Sequence, residues 1–224
     1  DDIAYAIEIL DKYFNFEKVV IGIEKNKPDA INNMKAIAAE NEKITVDVLP
    51  TLYPQGAEKV LVYHTTGKQI GDGKLPIDVG CVVCNVTTLA AIGKYLKTGM
   101  PLVSKRITVD GTAVTEPKNV IVPIGTSVKD LLEFVGLSAE EDYEVIMGGP
   151  MMGRATKSDE SPTMKNTSAI LCFSQELAEV KEETACLNCQ RCHTACPFGL
   201  MPSIFAEAYE HKDVDKLNRF NVMQ

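Results

Sequence analysis

Four cysteines, Cys186, Cys189, Cys192 and Cys196, fall within an eleven-residue run, and Pro197 follows the last. The spacing C-x-x-C-x-x-C-x-x-x-C-P is the ligand pattern of [4Fe–4S] clusters. Two-residue gaps let one tight loop aim three thiolates at three corners of a cubane, and soft thiolate sulfur suits iron–sulfur chemistry. The proline ends the local backbone run and removes one amide that would need a partner beside the cluster. The run points to electron transfer.

In proteins with two such clusters, the fourth cysteine of each run ligates the other cluster. Cys186, Cys189 and Cys192 are therefore expected to hold one cluster. Cys196 either closes a lone cluster or reaches toward a second, for which this sequence supplies no second run. The remaining cysteines, Cys81, Cys84 and Cys172, do not form one, and we read the chain as a fragment cut before the partner motif. The competing reading is a zinc knuckle, but zinc sites usually pair two well-separated C-x-x-C units. An odd total of 7 cysteines and the lack of a signal-peptide pattern argue against a disulfide framework and for a reducing compartment.

The net charge of -8 argues against nucleic acid as a partner, because nothing here would neutralise a row of phosphates. No apolar stretch approaches the roughly 20 residues a bilayer-spanning helix needs, so membrane association would come through partner subunits. The chain opens at Asp1 and Asp2 without a starter methionine, which fits the fragment reading.

Three regions follow one another. Residues 1–100 alternate helix and strand. A helical stripe runs from Ile3 to Phe14, and an apolar strand spans Lys18 to Ile23. A helix opening at Pro28, a strand over Ile44 to Leu49 and a short helix from Glu58 to His64 come next. A third strand is expected over Asp78 to Cys84, then a helix from Asn85 to Lys97 ending at Gly99. This rhythm implies a doubly wound, Rossmann-like α/β layer.

Residues 101–155 read as a small β-grasp module. A strand over Val103 to Val109 is expected to turn at Asp110 and Gly111 and return over Thr112 to Thr115. A strand from Asn119 to Ile124, a helix carrying Val128, Leu131, Leu132 and Val135, and a strand from Tyr143 to Met147 complete it. The glycine-rich stretch Gly148 to Gly153 is expected to be a tight interdomain turn, with Met151 and Met152 as adaptable packing. Residues 156–224 hold a polar linker to Thr167, a strand over Ser168 to Phe173 leading toward the cysteines, and helices over Pro202 to His211 and Asp213 to Phe220. The fold class is thus α/β plus α: a Rossmann-like domain, a β-grasp domain and a helical ferredoxin-type cysteine segment.

Several motifs, taken together and in order, carry a family resemblance. They are Tyr53 to Gly56, Asp78 to Gly80, Asn85 to Leu89, Gly148 to Gly153 and the cysteine run, which resemble the C subunit of the Rnf electron-transport complex, the RnfC family. That family is related to the NADH-binding flavoprotein subunit of respiratory complex I and to a flavin-dependent cobalamin reductase. The resemblance implies a Rossmann-like domain for FMN and NADH, an SLBB β-grasp domain, and a helical domain with two [4Fe–4S] clusters. It also implies electron transfer between NADH, FMN and clusters, coupled through membrane subunits to ion movement and to ferredoxin. The location implied is peripheral, on the cytoplasmic face of the bacterial inner membrane.

By the resemblance, Asn85 and Thr88 lie in the strand-to-helix turn that binds the flavin phosphate. Exposed amides at a helix N-terminus favour phosphate, although Asn85 also suits an ordinary N-cap. Gly56 and Glu58 match a stretch lining the nicotinamide side, where Ala57 replaces a second acid. The family's glycine-rich flavin loop lies upstream of this sequence, so the FMN site here is expected to be incomplete.

Cys81 and Cys84 form a C-x-x-C, but in a buried strand they would be small hydrophobes rather than ligands. Cys172 is expected in the core. His193, between two cluster cysteines, either tunes a cluster by bonding its sulfur or is a plain loop residue, and His64 and His211 lack an acid–base partner in the sequence. Two alternatives stand beside the redox subunit: a cobalamin reductase-like flavin and iron–sulfur protein, and a non-redox scaffold stabilised by zinc. Without a second cysteine run the chain alone is expected to be inactive.

Overall fold

The computed structural model describes residues 1–137, 143–156, 158–180, 182–196 and 198–223; Pro197 of the cysteine run lies outside them. The chain forms two compact units, Asp1–Gly93 together with Thr184–Gln224, and Lys94–Glu183.

In the first unit, helix α1 (Asp2–Phe14) ends at Asn15, whose left-handed backbone (φ 50°) donates its N–H to the Asp11 carbonyl. Strand β1 (Val19–Glu24) leads through α2 (Pro28–Ala38), with proline at the start where its missing N–H costs nothing, into β2 (Ile44–Leu49). β1 and β2 pair in parallel from Val19 opposite Ile44 to Glu24 opposite Leu49. Helix α3 (Glu58–Thr66) packs on β1. Gly22 makes room there, since a Cβ at that position would press on Leu61 and Leu49.

The strand expected over 78–84 does not form. A 3-10 turn (Pro76–Val79) closes at Gly80, whose left-handed φ of 72° reverses the chain, and residues 81–85 continue as irregular backbone into α4 (Val86–Thr98). An apolar run alone does not make a strand when no neighbour is there to pair with it. Cys81 is accordingly half-buried and Cys84 exposed, rather than packed in a core. Gly93 of α4 lies against the start of α1, where any side chain would overlap the Asp2 carbonyl.

The second unit is built on a five-stranded sheet in the order β4-β3-β7-β5-β6. Its strands are β3 (Ser104–Asp110), β4 (Lys118–Pro123), β5 (Tyr143–Met147), β6 (Arg154–Thr156) and β7 (Ala169–Ser174). Helix α5 (Val128–Val135) starts at Ser127, whose hydroxyl accepts the Asp130 N–H at 3.0 Å. It buries Val128, Leu131, Leu132 and Val135 against Ile107, Val109, Val120, Val122, Val145, Ile170 and Cys172. Each such side chain contributes roughly 1.5–3 kcal/mol.

Three expectations change here. The return strand placed at 112–115 is instead β4, antiparallel to β3 from Ser104 opposite Pro123. Residues 111–115 are held elsewhere: Ala113 donates to the Cys172 carbonyl and Thr115 to the Gly136 carbonyl. Gly111 (φ 128°) sits so close to Cys172 that a Cβ would collide with its backbone. Next, the strand at 168–173 forms, but not as a lead-in to the cysteines. As β7 it lies mid-sheet, parallel to β3 and antiparallel to β5. Finally, the stretch 148–153 is a tight turn joining β5 to β6 inside this sheet, with Gly153 donating to the Gly149 carbonyl at 2.7 Å. Met151 and Met152 stand exposed rather than packed.

After α6 (Gln175–Ala178), which follows β7 directly, the first unit resumes with α7 (Arg191–Ala195), α8 (Pro202–Glu210) and α9 (Val214–Arg219). α8 and α9 pack together; Ala208 is buried, Lys216 bonds Glu207 at 2.9 Å, and the Asp213 side chain caps α9.

Candidate functional site: the cysteine loop and two helix starts

The cysteine run occupies a loop and the short helix α7. Cys186 and Cys189 lie on the loop, Cys192 is in the first turn of α7, and Cys196 follows its end. Two non-glycine residues between them take left-handed backbone, Asn188 at φ 52° and Gln190 at φ 57°. That conformation costs most residues energy, and each one reverses the chain between successive cysteines. The Asn188 N–H donates to Cys186 Sγ at 3.4 Å. Cys186, Cys189 and Cys192 are exposed and Cys196 is half-buried.

Cys186, Asn188 and Gln190 line one side of a cavity of ≈ 370 Å³, with Met201, Ser203, Ile204 and Glu207 of the α8 region on the other. Among the described residues, no three His, Cys, Asp or Glu side chains stand close enough to hold one metal ion. The first three thiols are thus accessible, and among the described residues they are not drawn into a closed cage. The donor chemistry fits an iron–sulfur cluster: four free thiols, an amide already bonded to one sulfur, and backbone reversals at the ligand gaps.

His193 is neither free in a loop nor pointed at a sulfur through Nδ1. Its Nδ1 lies 3.0 Å from the Leu200 carbonyl oxygen, and the ring is half-buried. No spacing rule in the sequence announces this bond, which spans seven residues.

The other candidate residues lie at helix starts. Asn85 precedes α4, and its Oδ1 accepts the Thr87 N–H at 2.8 Å, the cap interaction its residue type favours. Thr88 is exposed in the first turn of the same helix. Gly56 and Glu58 lie exposed at the start of α3, and Gly56 has open space where a Cβ would stand. No hydrogen bond among the described residues joins the α3 pair to the α4 pair. Next to Gly56, Gln55 is buried and its Oε1 meets His64 Nδ1 at 2.9 Å, leaving Nε2 without a partner. This gives His64 a hydrogen-bond partner, though not an acid–base one. Cys81 and Cys84 Sγ atoms lean on nearby carbonyls, and partial desolvation holds the Cys84 thiol above its ordinary value. Cys172 lies in the core as expected.

A Rossmann-like flavoprotein domain, a β-grasp module and a cysteine-rich helical segment define the class, and the comparisons agree. Residues 1–94 match the Nuo51 FMN-binding domain family and residues 106–155 the SLBB domain family. The chain is 44% identical, over 206 residues, to the C subunit of the proton-translocating ferredoxin:NAD(+) oxidoreductase complex of Clostridium ljungdahlii, covering 92% of this chain and 45% of that one. It is 35% identical, over 223 residues, to the C subunit of the Na(+)-translocating ferredoxin:NAD(+) oxidoreductase complex of Acetobacterium woodii, covering 100% of this chain and 50% of that one. Among solved structures, NAD+-reducing [NiFe]-hydrogenase shares the fold. In its H2-reduced state the TM-score is 0.63 at 17% identity, and in its air-oxidized state 0.61 at 18%, each covering 78% of this chain and 36% of that one.

The chain belongs to the RnfC family, the C subunits of the ferredoxin:NAD(+) oxidoreductase, or Rnf, complexes. It spans about half the length of the curated relatives it matches.

Proposed function

We propose that this chain is the electron-relaying part of the RnfC component in an ion-translocating ferredoxin:NAD(+) oxidoreductase, passing electrons between an NADH-reduced flavin and [4Fe–4S] clusters. The observation that carries this reading is the cysteine loop, with its free thiols, its left-handed reversals and the amide bonded to Cys186 Sγ. Cys186, Cys189 and Cys192 would hold one cluster, and Cys196 would close it or serve a second whose other ligands come from further cysteines. A bound cluster supplies one-electron transfer; the chain supplies ligation, hydrogen bonds to sulfur and the degree of exposure, which together set the potential.

The exposed first turn of α4, with Asn85 and Thr88, suits the flavin phosphate, because the amides and dipole of a helix start favour an anion. Gly56 and Glu58 at the start of α3 suit the nicotinamide side. No helix among the described residues is long and apolar enough to cross a membrane. Attachment through membrane-embedded partner subunits on the cytoplasmic face follows from this reading, as does exchange of electrons with ferredoxin.

Anaerobic reconstitution with iron and sulfide, followed by metal analysis and low-temperature EPR after reduction, tests the proposal. About four irons per chain with a reduced-cubane signal is the expected result. Replacing Cys189 with serine should abolish the signal. A colourless protein holding stoichiometric zinc and refusing iron would overturn the reading.

A further inference from the structure

The strongest unassigned feature is the bond between His193 and Leu200. A carbonyl oxygen only accepts, so the Nδ1 of His193 carries the proton and donates it to Leu200. The Cys196 N–H donates to the His193 carbonyl at 3.1 Å, and the Gly199 N–H donates to the Cys196 carbonyl at 3.2 Å. Cys196 is therefore bonded to the His193 carbonyl through its own N–H and is followed later in the chain by Leu200, whose carbonyl the His193 imidazole holds. Leu200 directly precedes Met201, which lines the cavity shared with Cys186 and receives the first amides of α8.

We propose that His193 is a positioning residue for the fourth thiol: its imidazole ties the end of α7 to the start of α8 and fixes where Cys196 Sγ is presented. This rests on the iron–sulfur reading of the four cysteines and adds to it the group that sets the geometry of the ligand most separated in sequence. Three ligands are spaced by two residues, and left-handed Asn188 and Gln190 turn the chain between them. The last gap is longer, and a side-chain tether supplies the constraint that a short gap supplies elsewhere. The role requires the Nδ1 donor at its present distance from the backbone, and not the charge of the ring.

Three variants separate this role from simple packing. His193→Ala removes the donor. His193→Asn keeps it, because Asn Nδ2 stands as many bonds from Cβ as His Nδ1 does. His193→Gln moves the donor to the place of Nε2. In hydrogen exchange of the metal-free chain, the Cys196 and Gly199 amides should exchange about five-fold faster in the Ala and Gln variants, as for loss of one ordinary hydrogen bond. The Asn variant should match the parent. On the reconstituted chain, iron loss to a chelator should speed up in the same two variants and stay at the parent rate in the Asn variant. Equal exchange in all four proteins, or rescue by Gln as complete as by Asn, would overturn the tether. Unaltered iron retention in the Ala variant would overturn its positioning role. A parent chain that takes up no iron would instead overturn the cluster reading, and the exchange result would stand on its own.

Discussion

The sheet of the second unit should fail without its last strand, although the SLBB match stops before it. Residues 106–155 match that family, while β7 begins at Ala169. β7 pairs with β3 at Thr108, Val109 and Asp110, and with β5 from Tyr143 to Met147. Removing it leaves β4-β3 and β5-β6 as two separate two-stranded pieces, and such pairs are marginal in water. It also removes Ile170 and Cys172, both 0% exposed. A unit of about ninety residues has a total stability of roughly 5–13 kcal/mol. Truncating Ile170 to alanine alone should cost about 2–5 kcal/mol, for lost burial and the cavity left behind. The point variant should therefore weaken the unit and the strand deletion unfold it. We expect a protein of residues 94–183 to unfold cooperatively in urea, followed by circular dichroism. Ile170→Ala should lower its stability by that amount, and residues 94–156 should show no cooperative transition. A cooperative transition in the shorter protein, or a cost below about 1 kcal/mol for Ile170→Ala, would refute the placement of β7 at the centre of this core.

Burial pushes the Cys172 thiol up from 9.0 to about 11. Above pH 9 the unfolded thiol ionises while the folded one keeps its proton, so stability should be lost as pH rises from about 9 to about 11. Cys172→Ala should flatten that part of a pH series of urea midpoints, and native-state alkylation at pH 8 should label the exposed Cys186, Cys189 and Cys192 but leave Cys172 untouched. Gln190 holds a left-handed backbone that costs roughly 1–2 kcal/mol with a side chain and nothing with glycine. Gln190→Gly should therefore keep iron uptake on reconstitution, Gln190→Val should lower it severalfold, and equal uptake by the two would show that the reversal at 190 is not needed.

How far the sequence could be read follows the range of the interactions involved. Helix α5 was legible because its signals are local: Ser127 at the cap, apolar residues three and four apart, and Gly136 after its end. The apolar run of β1 and the opening Pro28 of α2 were legible for the same reason. The failures share the opposite cause. Asp78 to Cys84 has a strand's composition, yet Gly80 turns the chain, and among the described residues no strand pairs with it. The turn after Asp110 looked like a hairpin, yet the residues after Gly111 bond to Cys172 and Gly136, far away in sequence. β7 was legible as a strand, but its place between β3 and β5 was not, because pairing partners more than twenty residues away leave no periodic trace.

The candidate site divides along the same line. The proposed ligands of the cysteine run are marked by spacings of two and three residues, which are visible in the sequence alone. The means of holding them is not: the Asn188 amide on sulfur and the left-handed Gln190 are backbone facts with no fixed residue type, and the bond from the His193 side chain to the Leu200 carbonyl spans seven residues with no spacing rule to announce it. Little packing supports this loop. Leu187 is 91% exposed, and the first three cysteines are exposed with it. A segment with so few buried contacts belongs to the low-stability end of a protein, and metal binding to such a segment also supplies its folding free energy. The helix starts at Asn85 and Gly56 are the reverse case. They are held by α3 and α4, which pack through Val62 and Gly93, so their geometry stands before any ligand arrives. In the proposed electron path, the flavin side is therefore preorganised by packing, while the cluster side takes its final form from ligation itself.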